Sequence, residues 1–406
     1  MINAPKGFKP HPFPYHHEVE IEIESLTNLG LGIGRKNGWV IQVPYSLPGE
    51  KIRARIYRNH KNYSSADCIK VLVPSPDRVS PACSLFGECG GCQYQHLLYK
   101  AQLDWKKDQV KDSFERIGEI KHEINDLIES PRKYGYRSKL TPHFEKGHAE
   151  PQFKIGFLKQ GTRRSLIDVD HCPIATDEIN CALPEARTTL IKKKSSLKKG
   201  GTLLLRDTMS GVTQDPNEFV QERVGSLTFQ FRAGEFFQNN PFILPKLVEY
   251  VIRQARPEES TYLIDAYCGS GLFGLSAASK FQKVIGIEIS QEGFWGAQAN
   301  AKLNKISNAE FILGDASSIF ESIEPTMRPC TLVIDPPRKG CGNEFLSQAI
   351  AFGPTFIVYI SCDPATQARD ARILTAGGYS ILEIQPFDLF PQTRHIECVL
   401  TLQKNC

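Results

Sequence analysis

The stretch Tyr262-Leu263-Ile264-Asp265-Ala266-Tyr267-Cys268-Gly269-Ser270-Gly271 reads as a buried strand that breaks into a glycine turn, with a helix beginning near Leu272. Its glycines let the backbone approach a ligand closely. Open α/β sheets bind ligands just past the carboxyl ends of their strands. The next apolar run, Val284-Ile285-Gly286-Ile287, ends at Glu288, where a carboxylate can accept from ribose hydroxyls. Asp315, in Gly314-Asp315-Ala316, would end a third strand within reach of an adenine amine. Thr331-Leu332-Val333-Ile334-Asp335-Pro336-Pro337-Arg338 ends a fourth. NAD is the rival ligand, but a D-x-x-C-G-x-G turn leaves less room for a pyrophosphate than G-x-G-x-x-G. The ordered set favours S-adenosylmethionine. From Asn240 onward strand and helix patterns alternate, which predicts a βα-wound, Rossmann-like domain of the α/β class.

A fifth apolar run, Phe356-Ile357-Val358-Tyr359-Ile360, leads into Ser361-Cys362-Asp363-Pro364. It reads as a fully buried strand, so Cys362 stands at the ligand-binding edge of the same sheet. A cofactor turn and a poised thiol on one sheet suggest covalent group transfer.

The first part of the chain has another rhythm. Residues 1 to 15 read as a loose arm rich in Pro, His and Phe. Val19, Ile21 and Ile23 then alternate with glutamates, and further short apolar runs follow at 39–44, 51–57 and 66–71. Four or five strands in so short a span predict a small β-barrel over residues 14–75. Arg35, Lys36, Arg53, Arg55, Arg58, His60 and Lys61 interleave with Tyr57 and Tyr63, a composition that suits either an RNA surface or a solvated charged face. Residues 76–230 form a central α+β domain, in which 93–120 are expected as a helix packing on the catalytic domain, 231–406.

Cys83, Cys89 and Cys92 follow a C-x5-C-x2-C spacing among Gly87, Gly90 and Gly91, and Cys172 is a suitable fourth thiolate. Four such ligands can hold an iron–sulfur cluster or zinc, and spacing leaves the choice open. The chain has 12 cysteines among 406 residues, 41% hydrophobic content and a formal net charge of +4. Without an N-terminal signal pattern or a long apolar run, a cytoplasmic protein with no membrane partner is expected. Disulfides are rare in that compartment, which raises the prior for metal or catalytic cysteines.

Assembled, these residues resemble the family of S-adenosylmethionine-dependent RNA uridine C5-methyltransferases. Phe237-Gln238-Asn239-Asn240, Asp335-Pro336-Pro337-Arg338, Ser361-Cys362-Asp363-Pro364 and His395-Ile396-Glu397 match its motifs in order. The resemblance implies a class I methyltransferase domain, an OB-like TRAM barrel and a [4Fe-4S] cluster on Cys83, Cys89, Cys92 and Cys172, as in the ribosomal RNA members. It further implies Gln238, Tyr267, Glu288 and Asp335 as cofactor contacts, Cys362 as nucleophile and Glu397 as base. Leu272 departs from members with a polar residue there. Transfer RNA members often lack barrel and cluster, so a 23S ribosomal RNA substrate is the expectation and transfer RNA the alternative. A decayed, non-catalytic RNA-binding or redox-sensing iron–sulfur protein and a cytosine methyltransferase are further readings, which Cys362 and Glu397 disfavour. A monomer is expected.

The chemistry is consistent with these residue types. Uracil C5 is too weak a nucleophile to take a methyl group unaided. A thiolate added at C6 makes it an enolate carbon, and a base must then remove the C5 proton so that the thiol leaves. Arg338 and Arg369 could hold phosphates or serve as structural ion pairs.

Overall fold

The computed structural model describes residues 4–145, 153–194, 197, 199–314, 320, 323 and 327–405. The chain divides into two compact units, one of residues 1–105, 157–167 and 392–394 and one of 106–156, 168–391 and 395–406.

In the first unit, strands β1 (Glu18–Leu26), β2 (Leu31–Lys36), β3 (Trp39–Pro44), β4 (Lys51–Asn59) and β5 (Tyr63–Val73) close a barrel in the order β1-β2-β3-β5-β4. The period-two pattern decides its core. Val19, Ile21, Ile23, Ile41, Val43, Ile52, Ala54 and Ile56 point inward and are buried, while the alternate positions carry the charges. Three arginines of the basic set are spoken for by Glu24 (Arg35), Glu20 (Arg53) and Asp67 (Arg55). His60 and Tyr63 stack with ring centroids 4.2 Å apart.

Helix α1 spans Tyr99–Arg116, starting later than its apolar periodicity suggests. Tyr94 and Leu97 still join the apolar cluster with Ala101, but through a turn in which Leu97 N–H donates to the Tyr94 carbonyl. The Gln102 amide donates to the carbonyls of Tyr94 and Leu97 and so stands in for helical bonds. The expected packing on the catalytic sheet is present in the second unit, where Val110 and Phe114 enter the same core as Leu332, Ile357 and Leu400.

Short strands fill the middle of the chain: β6 (Lys139–Leu140), β7 (His143–Phe144), β8 (Ile155–Leu158), β9 (Leu166–Asp168), β10 (Gly201–Thr202), β11 (Leu205–Thr208), β12 (Gly211–Thr213), and the hairpin of β13 (Phe219–Val224) with β14 (Leu227–Arg232). Helix α2 (Asp177–Lys192) is capped by the Thr176 hydroxyl, which accepts from Ile179 N–H.

The catalytic sheet is made of β15 (Tyr262–Ala266), β16 (Lys283–Glu288), β17 (Ala309–Leu313), β18 (Cys330–Ile334), β19 (Phe356–Ser361), β20 (Tyr379–Phe387) and β21 (Glu397–Lys404), ordered β17-β16-β15-β18-β19-β21-β20. Strands β15 to β19 pair in parallel, β20 runs in the same direction, and β21 lies antiparallel between β19 and β20. Helices α3 (Leu244–Gln254), α4 (Leu272–Ala277), α5 (Gln291–Leu303), α6 (Asn343–Phe352) and α7 (Pro364–Ala376) accompany it. The inner strands β15, β16, β18, β19 and β21 are buried on both faces, as a parallel sheet requires, while the edge strands β17 and β20 are partly exposed. The sheet reverses direction of winding at β15 and β18, the switch point where such sheets place ligands. Among the described residues no helix is long and apolar enough to cross a membrane.

One aromatic step ties the hairpin to this domain. Phe237 is 3% exposed and stacks on Phe231 with centroids 4.3 Å apart. Phe237→Ala should lower stability by about 3–5 kcal/mol, measured by denaturant unfolding of the second unit's fluorescence and circular dichroism. A loss below about 1 kcal/mol would mean that the site collapses around the missing ring.

Candidate active site

The glycine turn after β15 opens one side of a cavity of about 610 Å³. Gly271 holds φ +87° as the residue before α4, a conformation that disfavours any side chain. Gly286, in the neighbouring strand, admits no Cβ, which would lie 2.6 Å from the Phe311 ring. Gln238, Tyr267, Glu288 and Asp335 all line this cavity. Four of the five residues singled out as cofactor contacts thus share one wall. The fifth, Asp315, lies outside the described residues, although Gly314 before it lines the cavity. Leu272 lines it too.

The carboxylate of Glu288 is already engaged. Its Oε2 accepts from Gly269 N–H at 2.8 Å and its Oε1 from Ser290 N–H at 2.7 Å, which fixes it across the mouth of the glycine turn. Phe236, 78% exposed, and Ile289, 65% exposed, add apolar rims that sequence reading missed. Large exposed apolar groups at a cavity mouth mark a place for a flat ligand to cover. Phe236 stands two residues before Gln238 and Ile289 follows Glu288, and that nearness in the chain was the available signal.

Strand direction brings the reactive groups together. Cys362 follows the last residue of β19, and Glu397 is the first residue of β21. Ser361 pairs with Cys398 across these antiparallel strands, so Cys362 and Glu397 leave the ladder at the same end. The Gln367 amide donates to the Tyr359 and Cys398 carbonyls at 2.8 and 3.0 Å and locks the two strands beneath them. Asp335 follows β18, the strand beside β19.

The electrostatics follow from burial. Burial, then the charge of Glu397, pushes the Cys362 thiol up to about 11, against the Arg338 guanidinium, which hydrogen-bonds the thiol and favours its ionised form. Glu397 is 4% exposed, and burial together with nearby Asp335 raises it well above the usual carboxylate range, again opposed by Arg338. Burial likewise raises Asp335. Each carboxylate's charge disfavours ionisation of the other. Arg338, weighed from sequence as a phosphate holder, is here the cation of the thiol–carboxylate group, and its Nη2 lies 3.4 Å from His395 Nδ1. The sequence signal for that role was its place three residues beyond Asp335.

Arg369 belongs to the structural alternative. Its Nε and Nη2 donate to the fully buried Asp370 at 2.8 and 2.7 Å, and Nη2 also reaches the Lys339 carbonyl. Asp363 caps α7 by accepting from Ala365 and Thr366 N–H, so it is a helix cap beside the thiol.

The cysteine loop lies in the first unit. Cys89 feels the charge of Cys83, and Tyr45 is pushed up to about 12 by burial and then by Cys89 and Cys92. Gly90 N–H donates to the Leu158 carbonyl and the Cys83 N–H to Gln95, which hold the loop's ends. Four soft thiols suit a cluster in kind. Yet among the described residues no three His, Cys, Asp or Glu side chains stand close enough to hold a metal ion.

Comparison with known proteins decides the family. Residues 212–405 match the family model described as tRNA (Uracil-5-)-methyltransferase, and residues 17–69 match the TRAM domain. A Schizosaccharomyces pombe protein named tRNA (uracil(54)-C(5))-methyltransferase is 42% identical over 390 residues, covering 90% of this chain and 74% of that protein. The chain belongs to the S-adenosylmethionine-dependent RNA uracil-C5 methyltransferases. A Saccharomyces cerevisiae uracil-C5 methyltransferase of the same name is 31% identical over 443 residues, covering 90% of this chain and 69% of its own length. The crystal structure of the Pyrococcus abyssi tRNA (uracil-54, C5)-methyltransferase in complex with S-adenosyl-L-homocysteine superposes with a TM-score of 0.73 at 24% identity, covering 95% of this chain and all of that one. That likeness bears on the fold.

Proposed function

We propose that this enzyme methylates C5 of uridine 54 in transfer RNA. The observation that carries the reading is the meeting of Cys362, Glu397 and Arg338 at one end of β19 and β21, beside the cavity that Gln238, Tyr267, Glu288 and Asp335 line. The choice of transfer RNA replaces the ribosomal expectation. That expectation rested on the barrel and the cysteine cluster, but relatives named for uracil 54 of transfer RNA align over 90% of this chain. Possession of the barrel therefore does not separate the two substrates.

When bound in the cavity, S-adenosylmethionine supplies an electrophilic methyl group. The protein's residues do the rest. Glu288 would accept from the ribose, and Gln238, Tyr267 and Asp335 would orient the cofactor. The target uridine leaves its stack to reach the sheet edge. Cys362, as thiolate favoured by Arg338, adds to C6 of the ring, and C5 becomes nucleophilic and takes the methyl group. Glu397 in its ionised form then removes the C5 proton, and the electron pair left at C5 re-forms the C5–C6 double bond and expels the Cys362 thiolate. The raised affinity of Glu397 for protons, which follows from its burial, suits it to that removal.

The test is transfer of a labelled methyl group to transfer RNA and 23S ribosomal RNA, followed by nuclease mapping. Label is expected as 5-methyluridine at position 54 of transfer RNA and absent when that uridine is cytidine. Label in ribosomal RNA alone would overturn the substrate.

The thiol's raised position gives a pH dependence. Below about 11 the thiolate fraction of the free enzyme rises about tenfold per pH unit. The kcat/KM for RNA, which reports the free enzyme, should therefore climb from pH 6 to 9. A flat profile would show that Cys362 is already ionised. The barrel is proposed to bind RNA through the cations that its carboxylates leave to solvent. Arg58→Ala with Lys61→Ala should weaken RNA binding and reduce its log–log salt slope by about one for each phosphate no longer neutralised, with cofactor affinity unchanged. Cys83, Cys89, Cys92 and Cys172 remain the proposed cluster ligands on their spacing and the family resemblance, and anaerobically purified protein is expected to carry iron. Stoichiometric zinc, or no metal, would remove the cluster.

A further inference from the structure

The hairpin loop between β20 and β21, residues 388–396, ends on the proposed base, Glu397. Three consecutive carbonyls of this loop are each taken by a side chain from a different part of the second unit. The Asn240 amide donates to the Leu389 carbonyl at 2.9 Å and to the Ser130 hydroxyl at 3.1 Å. The Lys106 ammonium donates to the Phe390 carbonyl at 3.2 Å and to the Asp388 carboxylate at 2.6 Å. The Tyr136 hydroxyl donates to the Pro391 carbonyl at 2.9 Å. All three side chains are buried, Tyr136 and Lys106 completely.

A loop normally turns its backbone to water. Three buried donors on three successive carbonyls are an expensive way to hold one, and the Lys106–Asp388 pair adds a desolvation cost that packing alone would avoid. The arrangement constrains where the next residues lie. The Phe390 ring packs edge-on against the His395 ring, centroids 5.9 Å apart. His395 lies against Arg338, and Arg338 hydrogen-bonds the Cys362 thiol. Asn240 also sits two residues beyond Gln238 of the cavity wall.

We propose that Lys106, Tyr136 and Asn240 are positioning residues that clamp the 389–391 loop, and through Phe390 and His395 set the Arg338 guanidinium against the nucleophile. The proposal rests on the uracil-methylation reading. The groups facing the thiol are Arg338, Glu397 and Asp335. Of these, Arg338 alone favours its ionisation, so displacement of Arg338 moves thiolate formation to higher pH.

The test measures formation of the covalent adduct on transfer RNA carrying 5-fluorouridine at the target position, with S-adenosylmethionine, across a pH series. Fluorine at C5 cannot be removed as a proton, so the adduct accumulates and its rate reports addition without release. Lys106→Met and the milder Tyr136→Phe are compared with the wild-type enzyme, with thermal unfolding and S-adenosylhomocysteine binding as controls. The adduct rate should fall about tenfold or more in variants that keep their fold and cofactor affinity, as small misplacements do, and the pH profile should shift upward. Should Lys106→Met fail to fold, Tyr136→Phe decides. An unchanged rate, or a slower rate with an unshifted pH profile, would overturn the clamp. A wild-type enzyme that forms no adduct would instead sink the uracil reading, and the clamp with it.

Discussion

Cys362→Ala is expected to form neither 5-methyluridine nor a covalent RNA adduct, with turnover reduced roughly a thousandfold or more, as loss of a nucleophile costs other covalent enzymes. The reason is chemical. Without addition at C6, C5 of uracil stays too poor a nucleophile to take a methyl group, and no neighbouring side chain substitutes for sulfur. The variant should keep its fold. Cys362 is half-buried at a strand end, and α7 behind it is capped by Asp363. Cofactor affinity should persist, because Cys362 does not line the cavity's wall. Methylated product from Cys362→Ala, measured by mass spectrometry of nuclease digests, would remove the covalent mechanism.

Glu397→Gln should be as inactive in turnover, by about 10²–10⁴-fold, yet fail at a later stage. The amide cannot accept the C5 proton, so addition and methyl transfer proceed and release does not. The substitution also removes one of the two carboxylates that oppose ionisation of the thiol. Adduct formation should thus be no slower than in the wild-type enzyme, and faster at high pH, where the wild-type Glu397 is ionised. A Glu397→Gln protein that folds, binds RNA and shows slower addition would make Glu397 a structural acid, with Asp335 the next candidate base.

The sheet and its ligand edge are legible because the inner strands β15, β16, β18 and β19 are largely apolar runs leading to polar residues, and both faces of a parallel sheet's interior are buried. Glu397 is readable as a strand-edge residue beside the core from Val399-Leu400-Thr401-Leu402. The barrel is readable from alternation, and five strands close it. Its cations look free in sequence because pairing of Arg35 with Glu24, Arg53 with Glu20 and Arg55 with Asp67 depends on strand register, which no local pattern states. Helix α1 starts later than its spacing predicts because Tyr94 and Leu97 keep helical spacing while lying in a turn that Gln102 completes. Lys106 reads as one charge among many on an exposed helix face. Its partner, Asp388, is 282 residues away, and only the fold reveals that the pair is buried. The substrate escapes the sequence for a different reason. The barrel and the cysteines point to ribosomal RNA only by association, and neither distinguishes one RNA from another by its own chemistry.

Mass spectrometry of the band trapped by Glu397→Gln on transfer RNA, after digestion with nuclease and protease, addresses the covalent mechanism at its root. The expected species is the peptide bearing Cys362 joined through sulfur to a uridine nucleotide that already carries the methyl group. Linkage through another cysteine, an unmethylated adduct, or a folded and RNA-binding variant with no adduct would contradict it.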